Sequence, residues 1–191
     1  TQTYPHDSRA FTQGLLYAEG SLYESIGLRG QSALRRVAPE SGKVLAETKL
    51  DKRYFAEGLA RVDNRLIQLT WKSGVGFVYD LHTLELLRSF EYDGEGWGLT
   101  FDGEHLIMSD GTATLRRLDP HSYKQVGQVQ VTLQGQPVNL LNELEIVGGE
   151  LWANVWRYDA IVRINPASGK VLGVVDAASL REKVTSPHKI D

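Results

Sequence analysis

The stretch FTQGLLYAEGSLYES (11–25) recurs along the chain as FAEGLARVDNRLIQL (55–69), GWGLTFDGEHLIMSD (96–110) and LNELEIVGGELWANV (141–155). The copies align on Gly14, Gly58, Gly98 and Glu143, on Leu15, Leu59, Leu99 and Leu144 in the next column, and on Leu22, Leu66, Leu106 and Leu151 further along. Successive copies of the first column are separated by 44, 40 and 45 residues. A second half of common design follows each copy: RVAPESGKVLAE from Arg36, VYDLHTLELLRS from Val78, RLDPHSYKQVGQ from Arg117 and RINPASGKVLGV from Arg163. Each reads strand, turn, strand. Pro39, Pro120 and Pro166 preset the φ that opens the turn, and Gly42 and Gly169 supply the positive φ that closes it.

Four short strands in 40–45 residues are the size of a propeller blade. Alternation such as Leu151-Trp152-Ala153-Asn154-Val155-Trp156 fits half-buried β structure, and helical periodicity is confined to Ala177–Val184. Asp63-Asn64, Asp102-Gly103 and Gly148-Gly149 read as hairpin turns. The expected fold is therefore all-β: one propeller domain over 1–191, with blade-like repeats starting near 11, 55, 96 and 141. Residues 177–191 are too few for a full blade. They leave two readings, a four-bladed ring or the start of a fifth blade, and we expect the second.

The formal charge of −3 is spread along 191 residues, which offers no basic footprint for nucleic acid. No apolar run approaches the roughly 20 residues of a membrane helix. The absence of cysteine excludes disulfides, a thiolate nucleophile and thiolate-bound zinc. His6, His82, His105, His121 and His188 are dispersed, with no metal-ligand spacing. Gly94-Glu95-Gly96-Trp97-Gly98 is glycine-rich but opens no helix, so it is no phosphate loop.

If the aligned first strands are innermost, the column before the shared glycine converges on the axis as Gln13, Glu57, Trp97 and Asn142. Phe11 and Phe55 lie two positions earlier, and Trp71 and Trp156 end the following strands. One carboxylate, two amides and aromatic walls suit a small polar molecule with an apolar body. The amides and indole N–H groups would fix its orientation, and the carboxylate could handle a proton. Residue types alone leave a second reading open, in which the ring is core packing around structural water.

Tyr4-Pro5-His6-Asp7, Phe11-Thr12-Gln13-Gly14-Leu15, Asn142-Glu143-Leu144-Glu145 and Ala153-Asn154-Val155-Trp156 together resemble the signature of plant-type glutaminyl cyclases, also called glutamine cyclotransferases. The resemblance spans nearly the whole chain. It implies a five-bladed propeller, with four blades recognisable here and the fifth incomplete. It also implies an acyltransferase that converts N-terminal glutamine of peptides or proteins to pyroglutamate and releases ammonia. No cofactor and no catalytic metal are implied. Carried over by position, the acid/base glutamate falls on Glu57, and the substrate-binding residues on Phe11, Gln13, Phe55, Trp71, Trp97, Asn142 and Trp156. The family's Asn-Gly-Ile-Ala strand and its Gly-Lys-Arg-Trp-Pro segment, which carries an active-site lysine, have no counterpart before Asp191. The further expectations are a monomer without a membrane span, periplasmic or secreted in a bacterium. Two rival functions remain at this stage, a calcium-dependent propeller lactonase using Glu57 and Asn142 as ligands, and a non-catalytic binding platform.

Overall fold

A computed structural model describes residues 3–181 of the chain. Strands β1 (Thr12–Ala18), β2 (Ser21–Ile26), β3 (Ala33–Ala38) and β4 (Lys43–Lys49) form the first antiparallel sheet, in chain order. The second contains β5 (Ala56–Val62), β6 (Arg65–Thr70), β7 (Val75–Asp80) and β8 (Leu86–Glu91). The third contains β9 (Leu99–Phe101), β10 (Leu106–Met108), β11 (Thr114–Leu118) and β12 (Gln125–Gln130). A small hairpin, β13 (Thr132–Leu133) with β14 (Gln136–Pro137), precedes the fourth sheet of β15 (Leu141–Val147), β16 (Glu150–Val155), β17 (Ala160–Ile164) and β18 (Val171–Asp176). Strand β1 lies beside β5, β5 beside β9 and β9 beside β15. The first strands of the repeats are therefore innermost, and the four sheets are arranged as propeller blades.

The expected hairpins form where turn chemistry placed them. Gly148-Gly149 joins β15 to β16 with φ of 58° and 82°, the twist a two-residue turn needs. The β13–β14 hairpin has no counterpart in the repeat pattern. It fills the longest spacing, between the third and fourth copies, and Thr132 bridges to Lys170 of the fourth blade. Helix appears over Ala178–Arg181; the rest of the expected segment, and most of 177–191, lies outside the described residues.

Apolar side chains on facing sheets make three cores, each shared by two successive blades. Tyr23 and Leu34 of the first blade pack with Leu59, Leu66 and Tyr79 of the second. Ile67, Leu69 and Val78 meet Leu99, Leu106 and Met108 of the third, and Ile107 and Leu115 meet Leu144, Leu151 and Val162 of the fourth. The outer strands β4, β8, β12 and β18 are mostly exposed.

The shared glycine marks where inner strands touch. A Cβ on Gly14 would stand 2.7 Å from Leu59 N, and one on Gly58 would stand 2.5 Å from both Leu99 N and Trp97 O. One on Gly98 would overlap the Asn142 carbonyl. Only hydrogen fits, because backbone on the other side cannot yield.

Ahead of β1, the 3–11 segment is tied to the first blade by a buried carboxylate. Glu24 Oε1 accepts from Thr12 Oγ1 (2.5 Å) and pairs with His6 Nε2 (2.7 Å). The hydrogen bond to Glu24 raises the His6 pKa against the opposing effect of burial. Burial opposes the charge on Glu24, but the bonds from His6 and Thr12 hold its pKa below the ordinary value.

Two tests follow from these contacts. Gly58→Ala should cost at least about 2 kcal/mol in urea denaturation, whereas Gly127→Ala should stay within about 0.5 kcal/mol, since its Cβ would find only ordinary contact at 3.9 Å. The His6–Glu24 contribution is present below the unfolded histidine pKa of about 6.5 and lost as pH rises through the raised folded value. His6→Ala should therefore lower the thermal midpoint more at pH 5.5 than at pH 8.5, and equal losses would refute the assignment.

Candidate active site

Three of the four axial residues sit at a break in strand register. The β1–β2 ladder slips between Thr12 and Gly14, β5–β6 between Ala56 and Leu59, and β15–β16 between Leu141 and Leu144. Gln13, Glu57 and Asn142 occupy these bulges, and Trp97 lies two residues ahead of β9. A bulge turns a side chain out of strict alternation. Here it aims polar residues at the axis while Leu59, Leu141 and Leu144 stay in the cores; Leu15, beside the first bulge, is exposed.

These residues open into a cavity of about 250 Å³. All eight site residues expected from the sequence line it: Glu57 with Phe11, Gln13, Phe55, Trp71, Trp97, Asn142 and Trp156. Leu28 is a ninth, which the repeat pattern did not single out. It is 37% exposed and holds φ of 74°, a backbone angle unusual for leucine. The aromatic walls meet edge to face. Phe55 touches Phe11 (6.2 Å between centroids) and Trp71 (5.7 Å), and Trp97 touches Trp156 (5.4 Å). Gly27 and Gly111 leave the room this needs: a Cβ would stand 2.5 Å from the Phe55 ring at the first and 2.8 Å from Trp97 at the second.

One expectation is corrected. The indole N–H groups of Trp71 and Trp97 do not face a ligand. Both donate to Glu95 Oε2, at 2.7 and 3.0 Å, so these walls present rings rather than donors to the cavity. Gln13, whose Nε2 donates to the Thr12 carbonyl (3.3 Å), and Asn142 line the cavity together with Glu57.

Glu57 is 6% exposed, and its backbone is held by a buried chain of side chains. Tyr79 OH donates to Gln68 Oε1 (3.1 Å), Gln68 Nε2 to Ser25 Oγ (2.8 Å), and Ser25 Oγ to the Glu57 carbonyl (2.5 Å). Ser109 does the same for the other side of the ring. Its Oγ receives Gly98 N–H and donates to the Asn142 carbonyl, each at 2.7 Å. The Trp97 carbonyl takes the N–H of Gly58 instead (2.6 Å). In each case the preceding blade holds the axial residue of the next. The signal was present in the repeats, since Ser25, Leu69, Ser109 and Asn154 share one column.

Glu143 replaces the column glycine in the fourth blade. Burial, then the charges of Glu57 and Glu145, push its pKa well above the ordinary carboxylate range, against the backbone N–H groups of Leu15 and Leu144. Its Oε2 is shut off from solvent and unpaired among the described residues, as is Asn154 Oδ1. No group of three or more His, Cys, Asp or Glu side chains among the described residues is placed to hold a metal ion.

The sequence model of one family, described as glutamine cyclotransferase, matches residues 1–191. The chain belongs to the glutamine cyclotransferase family. It is 45% identical over 189 residues to a glutaminyl-peptide cyclotransferase of Arabidopsis thaliana, covering 97% of this chain and 59% of that protein. The chain thus spans less than two-thirds of that relative's length. The crystal structure of Myxococcus xanthus glutaminyl cyclase superposes with a TM-score of 0.89 at 41% identity, over 96% of this chain and 78% of that one. The WD40 domain of Neurospora crassa Pan2 shares the fold alone, with a TM-score of 0.58 at 10% identity over 86% of this chain and 67% of that one.

Ser25→Ala would remove the buried hydroxyl that links the Gln68 amide to the Glu57 carbonyl. It should lower stability by about 1–3 kcal/mol in chemical denaturation. A neutral result would show that the Tyr79–Gln68–Ser25 chain does not support the axis.

Proposed function

We propose that this chain forms the axial site of a metal-independent glutaminyl-peptide cyclotransferase, acting on peptides or proteins with N-terminal glutamine. The observation that carries the reading is one buried carboxylate, Glu57, facing two amides inside an aromatic-walled cavity. The reaction is an intramolecular aminolysis. The substrate's α-amine nitrogen attacks its own γ-amide carbon, the C–N bond to the amide nitrogen breaks, and pyroglutamyl peptide and ammonia leave. Ring closure supplies proximity, so the site must fold the glutamine side chain back on itself and move protons. An α-amine has a reference pKa near 7.7–8.0 and arrives largely protonated at neutral pH. The ammonium first loses one proton to solvent; as the neutral amine attacks, Glu57 takes a second proton from its nitrogen and delivers it to the departing nitrogen, which would otherwise leave as amide anion. With the Trp71 and Trp97 N–H groups bonded to Glu95, the developing oxyanion is steadied by Gln13, Asn142 or the Trp156 indole N–H. Phe11, Phe55, Trp71, Trp97 and Trp156 enclose the aliphatic part of the glutamine and exclude water.

The same reading extends to a five-bladed ring. In the first three blades, the glycine column and the Ser25/Leu69/Ser109 column face the next blade's inner strand. In the fourth these columns hold Glu143 and Asn154, whose buried oxygens, unpaired among the described residues, suit a further strand. The reading also takes the protein as a monomer, periplasmic or secreted in a bacterium.

Ammonia release from a short Gln-initiated peptide, with and without EDTA, tests the activity on the full-length protein. Equal release in both conditions is expected. Glu57→Gln should keep the fold and lower kcat by about 10²–10⁴-fold. Unchanged turnover in a folded variant would remove Glu57 from the chemistry, and loss of activity on chelation would favour a metal-dependent hydrolase.

A further inference from the structure

The aromatic wall is built in two runs that belong to different blades. Phe11, Phe55 and Trp71 form one, across the first and second blades, and Trp97 and Trp156 form the other, across the third and fourth. Among the described residues no ring contact joins Trp71 to Trp97. The two runs meet instead at one carboxylate oxygen, Glu95 Oε2, which accepts both indole N–H groups.

Glu95 is itself held on several sides. Arg116 on β11 donates to its carbonyl (2.7 Å) and to that of Asp93 (2.6 Å). Gly96 N–H donates to the Trp71 carbonyl at 2.9 Å. Lys72 Nζ lies 3.6 Å from Glu95 Oε1 and 4.1 Å above the Trp71 ring, closing the cluster from outside. Burial opposes the charge on Glu95, but the N–H groups of Trp97 and Trp71 together with Lys72 keep its pKa below the ordinary range. The group is thus an ionised acceptor fixed between two blades.

We infer that Glu95 is a positioning residue for the reaction proposed above, joining Trp71 and Trp97 into one continuous wall and keeping both indole donors out of the cavity. The inference rests on the cyclotransferase reading for its kinetic consequence, but not for its structural one. A charge-assisted hydrogen bond fixes an indole in its plane, which apolar packing alone does not. Without it, each ring is free to swing about its own side-chain bonds. The substrate then meets a wall of the wrong shape, with an N–H that competes for its carbonyl. The effect belongs to binding and orientation, because Glu95 does not line the cavity.

Glu95→Ala in the full-length protein provides the test. Its carboxylate side chain is 38% exposed, so the fold should survive. KM for a Gln-initiated peptide should rise about tenfold, equivalent to about 1.4 kcal/mol of binding, with a much smaller change in kcat. Tryptophan emission should shift to the red as the indoles loosen. Glu95→Gln keeps one acceptor oxygen and should fall between the two. In a Trp71→Phe/Trp97→Phe background, which has no indole N–H at these positions, Glu95→Ala should have no further effect on KM. An undiminished effect there, or unchanged KM and emission in the single variant, overturns the inference. If the wild-type protein releases no ammonia, it is the cyclotransferase reading that fails. The emission shift then decides the role of Glu95 by itself.

Discussion

Everything at the axis depends on how closely inner strands approach one another. At Gly14, Gly58 and Gly98 the backbone of one blade sits where a methyl group would have to go. That closeness lets a hydroxyl or N–H of one blade reach the carbonyl of the next blade's axial residue: Ser25 to Glu57, Gly58 to Trp97, Ser109 to Asn142. A buried carbonyl without such a partner would be costly. The contact and the hydrogen bond are therefore one device. The glycine removes the obstacle, and the polar partner makes the resulting geometry the favourable one. Side chains from separate sheets, far apart in sequence, come to face one small cavity because each is indexed to its neighbour.

Much of this was legible in the sequence. The blade repeat was visible because each strand carries the same apolar alternation and each turn needs the same backbone angles. Those are local requirements repeated in every copy. The axial set of Gln13, Glu57, Trp97 and Asn142 could be read because one column of a repeat occupies one place in space. What stayed hidden is non-local and occurs once. Glu95 sits in a glycine-rich run that opens no helix, and nothing nearby announces that it will meet two indoles. Gln68 lies between Ile67 and Leu69 like any polar residue in a strand, and its tie to Ser25 crosses between blades. Leu28 lines the cavity through a left-handed backbone angle that leucine does not advertise. The β13–β14 hairpin departs from the repeat, so no alignment of copies could reveal it.

The indoles show that lining a cavity does not fix which edge of a side chain faces it. Trp71 and Trp97 both line the cavity, yet their polar edges are turned away and bonded to Glu95. Tryptophan offers an apolar face and a donor edge, and only the surroundings decide which one a ligand meets. Here both donor edges are used for construction, bonded to one carboxylate between two blades.

The three shared cores carry a consequence for how the molecule comes apart. No blade owns the apolar surface that stabilises it: Leu34 needs Leu66, Ile67 needs Leu106, and Ile107 needs Leu151. A single sheet removed from the ring would expose at least one greasy face and keep only its ladder, too little for independent stability. The blade is thus a unit of geometry and of sequence, but not of cooperativity. The smallest element that can melt is an interface, and melting one loosens the two blades that share it together with the axial residues they carry.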